Sequence, residues 1–279
     1  MLGRKSRESV LLSQANHPCQ GFDETFKFPS PYRKSHLKLL MKSSIQQRLW
    51  WVTLPALILP LCGALIYFNL DGQAGIVQAI YTSIKVFTLL WPMVAMQWIV
   101  KVPFSEWRSM LVMNRRMMME GLVCGLGMAC ILLLTLTTPW GETVKEQAGM
   151  VRQKALDMGI LQFFPLFAVF ISFFHSLLEE YYWRWFAFGN LHRCMSSARA
   201  AHLLGACGFA AHHVVITTTF FPGFLGWFAG FSVGIAGAVW SWMMTRHRSI
   251  VGSWIAHMIV DLCLMAVGYW LIFEVAPSL

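Results

Sequence analysis

Seven apolar stretches dominate this chain, at residues 49–70, 76–100, 121–138, 160–178, 200–221, 223–245 and 250–273. Each is close to the roughly 20 residues needed to cross the hydrocarbon core of a bilayer. Lipid offers the backbone no hydrogen-bond partner, so each stretch is predicted to be a helix. The resulting fold class is all-α, a multi-pass transmembrane helical bundle of about seven spans. Composition agrees: charged residues make up 13% of the chain, about half of the roughly 25% a soluble domain carries. That deficit excludes a water-facing globule, and the 57% hydrophobic content excludes a disordered chain, which needs low hydrophobicity and high charge.

The basic residues give the chain an orientation. Nine of the 22 precede the first apolar stretch, from Arg4 to Arg48. Lys101, Arg108, Arg115, Arg116, Arg193, Arg199, Arg246 and Arg248 fall in alternate loops on the same predicted side. The opposite loops hold only Lys145, Arg152 and Lys154. The positive-inside rule then places the N-terminus in the cytoplasm and the C-terminus outside. Three regions follow: a basic cytoplasmic N-terminal arm (1–48), accessory transmembrane helices with an interfacial helix at 141–159 (49–159), and a four-helix core (160–279). The arm reads as a mobile tail and a short basic helix. It lacks an apolar segment with a cleavage site, so no removable signal peptide is expected. Its charge suits the bilayer surface; with no recognition motif beside it, nucleic acid is not an expected partner. The seven cysteines show no C-x-x-C spacing, so neither a disulfide framework nor a zinc ribbon is read.

Ionisable residues inside spans cost about 2.5–3.5 kcal/mol at the helix centre, and each needs a reason. The last four spans collect three polar clusters: Glu179-Glu180-Tyr-Tyr-Trp-Arg184, Phe209-Ala-Ala-His212-His213, and His257-Met-Ile-Val-Asp261. Residues four apart share a helix face, which pairs Glu180 with Arg184, Phe209 with His213, and His257 with Asp261. Glu179 lies near the cytoplasmic end of its predicted span, and the three clusters are expected to converge in the cytoplasmic half of the membrane. A carboxylate with two imidazoles is the equipment of a water-activating hydrolase. Glu accepts a proton from water, while His holds that water, binds a metal or stabilises an oxyanion. The residues alone do not choose among these roles.

In order and helical placement the motifs E-E-x-x-x-R, F-x-x-x-H and H-x-x-x-(N/D) resemble those of the CPBP intramembrane proteases, the CAAX-processing and bacteriocin-processing group also called Abi. The stretch from Arg248 to His257 is similar to the family's lead-in to its last motif, and the likeness covers about residues 175–265. The resemblance implies an intramembrane endopeptidase acting on membrane-associated, prenylated or amphipathic peptides. It implies Glu179 as the carboxylate that polarises water with His213, and Glu180 with Arg184 as the pair that orients it. His257 would bind the oxyanion or a metal, with Asp261 behind it. A divalent metal such as zinc would be held by Glu179, His213 and His257; a metal-free glutamate mechanism is equally open. Many members carry Asn where this chain has Asp261. An ionised Asp only accepts hydrogen bonds, so Asp261 would support His257 rather than donate to an oxyanion.

Blander readings apply elsewhere. His212 points about 100° away from His213 on an ideal helix and is expected to pack. His175 reads as a satisfied bundle histidine, Lys85 as a snorkelling or cavity-facing residue, and Pro92 as a kink. Gly230-Phe-Ser232-Val-Gly234 spells a nucleophile elbow, but that motif needs a strand-to-helix turn. Here it reads as a small-residue ladder for helix packing. Two other functional classes fit the same clusters: a non-catalytic immunity or scaffold protein that keeps them as a polar core, and a proton-coupled transporter.

Overall fold

The computed structural model describes residues 31–69, 74–221 and 223–278. The chain divides into two units, Met1–Ser44 and Ile45–Leu279. Residues 1–30 of the expected arm, with Cys19, lie outside the described residues, and the architecture below is that of the second unit. Helix α1 covers Pro31–Asn69, α2 Ala74–Val94, α3 Phe104–Ser109, α4 Arg115–Thr135, α5 Pro139–Glu146 and α6 Ala148–Asp157. A long composite helix, α7, runs over Leu161–Cys194, followed by α8 at Ala198–Phe220, α9 at Phe224–His247 and α10 at Val251–Trp270. Seven of these are long and apolar enough to cross a membrane, and no strand occurs among the described residues. The protein is an all-α, multi-pass membrane bundle.

Local signals set the helix starts. Asn114 accepts a hydrogen bond from the Met117 amide, Ser197 from Ala200 and Thr138 from Trp140. Such caps satisfy amides that a helix start leaves unpaired. Pro92 lies within α2, and the helix widens just beyond it into a π-helical segment, Ala95–Val100. The predicted interfacial segment is two short helices, α5 and α6, meeting at Gln147. Helix α3 was not expected.

Glycines bring the helix pairs together. A Cβ on Gly121 would lie 2.4 Å from the Gly252 carbonyl oxygen, and one on Gly125 2.9 Å from the Ala256 backbone. Helix α4 therefore packs backbone to backbone on α10. Gly230 and Gly234 seat α9 in the same way against Val214 and Ala210 of α8, as the small-residue ladder predicts. Ser232 points its hydroxyl at the Phe228 carbonyl, 2.8 Å away within its own helix, and forms no nucleophile elbow.

The largest departure from expectation is α7. The apolar stretch predicts an end at residue 178. Instead it continues for four further turns to Cys194, and every side chain from Glu180 to Leu191 is buried. An Arg and a Glu that neutralise each other inside protein do not meet lipid, so they do not end a span. The helix also widens twice into π-helix, at Ile171–His175 and Tyr181–Phe188, on either side of the short α-helical turn Ser176–Glu180. Such segments are rare and occur often at functional sites. Glu179 thus sits 18 residues from one end of α7 and 15 from the other, at mid-helix rather than near the cytoplasmic end.

Candidate active site

Three helices deliver the ionisable groups. Helix α7 presents Glu179, Glu180 and Arg184; α8 presents His212 and His213; α10 presents His257 and Asp261. Glu180 and Arg184 are 0% and 1% exposed, with Arg184 Nη1 3.2 Å from Glu180 Oε1. The guanidinium lies over the rings of Phe209, 4.0 Å from its centroid, and Trp240, 4.9 Å from its centroid. This cage fixes Arg184, and through it Glu180. Glu180 Oε1 also accepts a hydrogen bond from His257 Nδ1 at 3.0 Å. The other ring nitrogen of His257, Nε2, faces Glu179 Oε2 at 3.7 Å and Asp261 Oδ2 at 3.6 Å, two acceptors that suit a second N–H donor there. The His257 ring is stacked on Trp240, 4.3 Å between centroids.

His213 is oriented by a comparable device. Its Nδ1 donates to the Phe209 carbonyl at 2.9 Å, which leaves Nε2 as its free basic nitrogen. The six residues singled out by the motifs therefore gather in one place, drawn from three helices between Glu179 and Asp261.

His212 differs from its expected packing role. Its Nε2 lies 3.9 Å from Glu179 Oε1, and its ring stacks nearly parallel on Trp183, 5.3 Å between centroids and 4° between planes. The 100° between consecutive residues does not remove it from the site, because Glu179 approaches α8 between the two imidazoles. Ligand atoms of Glu179, His212 and His213 all lie within 4.8 Å of one another. The compact donor set for a metal is thus Glu179, His212 and His213, whereas the sequence pointed to His257 as the third member. One carboxylate and two imidazoles suit a zinc ion. The Nδ1 bond of His213 to a backbone carbonyl is the kind of support that a metal-binding His ordinarily has.

Glu179 opens onto a cavity of about 210 Å³ between α1, α2, α7 and α8, lined by Gly63, Tyr81, Lys85, His175, Trp183 and His212 among others. The lining residues of α1 fall between Pro60 and Phe68 and those of α8 are His212 and Ile216, in the C-terminal halves of both helices. These are the ends opposite the loops that hold Arg193, Arg199, Arg246 and Arg248. Lys85, read from the sequence as snorkelling or cavity-facing, and His175, read as a bundle histidine, both line this cavity. The signal that could have marked Lys85 is its position near the middle of its span.

Residues 161–263 match the family model described as type II CAAX prenyl endopeptidase Rce1-like. The match contains all three polar motifs. It supports the likeness to the CAAX-processing proteases drawn from them, and with it a hydrolase of the protease type embedded in a membrane. Among curated proteins and solved structures, none matches the chain.

Proposed function

Starting from an Rce1-like protease segment over residues 161–263, we propose that the chain is an intramembrane endopeptidase that cleaves membrane-associated peptides with water activated by Glu179. The observation that carries this reading is the setting of one carboxylate. Glu179 lies at mid-helix on a cavity wall, with the Nε2 atoms of His212 and His257 3.9 and 3.7 Å from its oxygens.

In the proposed reaction a water beside Glu179 gives up a proton to the carboxylate, and the hydroxide attacks the scissile carbonyl carbon. His213, held by Phe209, keeps Nε2 directed at that water. His257 stabilises the developing oxyanion, with Asp261 and Glu180 fixing its ring. The proton held on Glu179 then passes to the departing amine. Positioned proton transfer contributes about 10²–10⁴-fold, and a single oxyanion donor about 10²–10³-fold. Where a divalent metal is bound, Glu179, His212 and His213 would hold it, and it would supply Lewis-acid polarisation of the water or carbonyl. The distribution of basic residues among the loops supports a cytoplasmic N-terminus.

The test uses purified protein in bilayer discs with a library of lipidated and amphipathic peptides. Glu179→Ala and His213→Ala are each expected to abolish cleavage while membrane insertion is retained. Cleavage by both variants would reject the mechanism, and absence of cleavage by the parent protein on every substrate class would favour the scaffold reading. Repeating the assay after chelation, with metal analysis of the same sample, separates the two water-activating schemes. Retained turnover in metal-free protein assigns the chemistry to Glu179 and the imidazoles alone. Loss restored by zinc assigns the Glu179, His212 and His213 donor set.

A further inference from the structure

Helix α9 carries none of the three polar motifs, yet two of its residues shape the interior of the site. A Cβ on Gly237 would lie 2.7 Å from Phe209 Cδ1 and 3.2 Å from Arg184 Nη2, so the bare glycine leaves room for that ring and for the guanidinium. Three residues further on, Trp240 is 2% exposed and meets both partners of Glu180. Its ring centroid lies 4.9 Å from the Arg184 guanidinium and 4.3 Å from the His257 ring, the latter stacked with 21° between planes. Phe209 braces the indole edge to face at 6.1 Å.

The contact with His257 does something that its hydrogen bond does not. The donation from Nδ1 to Glu180 Oε1, 3.0 Å long, pins one atom of the imidazole, and the ring is still free to tilt about that bond. A flat face against the indole removes the tilt, because turning the ring would drive its edge into Trp240. Pinned at one atom and along one plane, His257 keeps the orientation that holds Nε2 3.7 Å from Glu179 Oε2 and 3.6 Å from Asp261 Oδ2. Stability alone does not call for an indole here. Its Nε1 is buried and makes no hydrogen bond among the described residues, a cost that phenylalanine would avoid. We propose that Trp240 is a positioning residue of the reaction, acting through His257 to hold Nε2 where the oxyanion develops. The inference rests on the peptidase reading, in which His257 receives that charge. Misplacing such a group by about 1 Å costs on the order of 10²-fold in rate.

The test follows one lipidated peptide that the parent protein cleaves in bilayer discs, with kcat and KM measured well below the unfolding midpoint of every variant. Trp240→Leu, apolar but without a flat face, is expected to lower kcat about 100-fold and leave KM within about threefold of the parent. Trp240→Phe restores a face and removes the unpaired N–H, so kcat should stay within about fivefold of the parent, with a Tm equal to or above it. Ile272→Ala opens a cavity at a similarly buried position beyond the end of α10; it should lower Tm and leave kcat unchanged. A kcat for Trp240→Leu within about threefold of the parent overturns the inference and leaves the peptidase reading intact. An equal loss in both Trp240 variants also overturns it, since the flat face would then be irrelevant. A loss carried by KM does the same, because it places Trp240 on the substrate. If Ile272→Ala loses kcat as deeply as Trp240→Leu, the effect is that of a weakened bundle and the inference fails. No cleavage of any peptide by the parent protein removes the peptidase reading first.

Discussion

Removing the charge of Arg184 is the sharpest test of how this bundle tolerates ions in its interior. Glu180 and Arg184 have effectively no exposure and are 3.2 Å apart. Arg184→Met keeps the stem between Phe209 and Trp240 but leaves Glu180 as a buried, uncompensated carboxylate. Breaking a buried pair in this way costs about 3–5 kcal/mol. At about 2–4 °C per kcal/mol for a chain of this size, the expected loss in Tm is roughly 6–20 °C. The double variant Glu180→Gln with Arg184→Met has no buried charge, and the amide oxygen of Gln can still accept from His257 Nδ1. It should recover at least half of the lost Tm. The assay is thermal unfolding in one detergent at one scan rate, since membrane proteins often unfold irreversibly and the midpoint then depends on rate. A Tm within 2 °C of the parent for Arg184→Met, or a double variant less stable than the single one, would refute the claim that the pair exists to neutralise Glu180.

Other consequences are narrower. His212→Phe preserves a flat ring against Trp183 but removes Nε2; a drop of about 100-fold in kcat with little change in Tm is expected, and full activity would return His212 to a packing role. Asp261→Asn should retain most activity, because an amide can still orient His257 and also donate; turnover as low as in Asp261→Ala would show that the charge itself is needed. Gly121→Ala places a Cβ 2.4 Å from the Gly252 carbonyl oxygen, so α4 and α10 must separate; the readouts are lowered Tm and weakened cleavage together, since α10 carries His257. Ser232→Ala should leave cleavage unchanged, and loss of activity would revive the serine reading.

The apolar runs revealed the number and order of the spans because lipid imposes a length and a helix on each of them. The i, i+4 spacings likewise revealed Glu180 with Arg184 and His257 with Asp261, which the structure pairs at 3.2 and 3.6 Å. His212 was lost to the same rule. A wheel drawn for α8 alone says that 212 and 213 diverge, but it cannot contain the position of Glu179, which is set by how α7 approaches α8. The donation from His257 to Glu180 was hidden for a similar reason: it joins residues 77 positions apart and no single-helix period encodes it. The π-helical segments that flank Ser176–Glu180 also escape a fixed 3.6-residue repeat.

The misplaced end of α7 has a physical cause. Hydropathy arithmetic charges every ionisable group as if its only alternatives were lipid and water. In this bundle a third environment exists, the protein interior, where the cost of an ion is set by its partner. Arg184 has that partner in Glu180, so α7 could run on through the aromatic stretch and bury it on all sides.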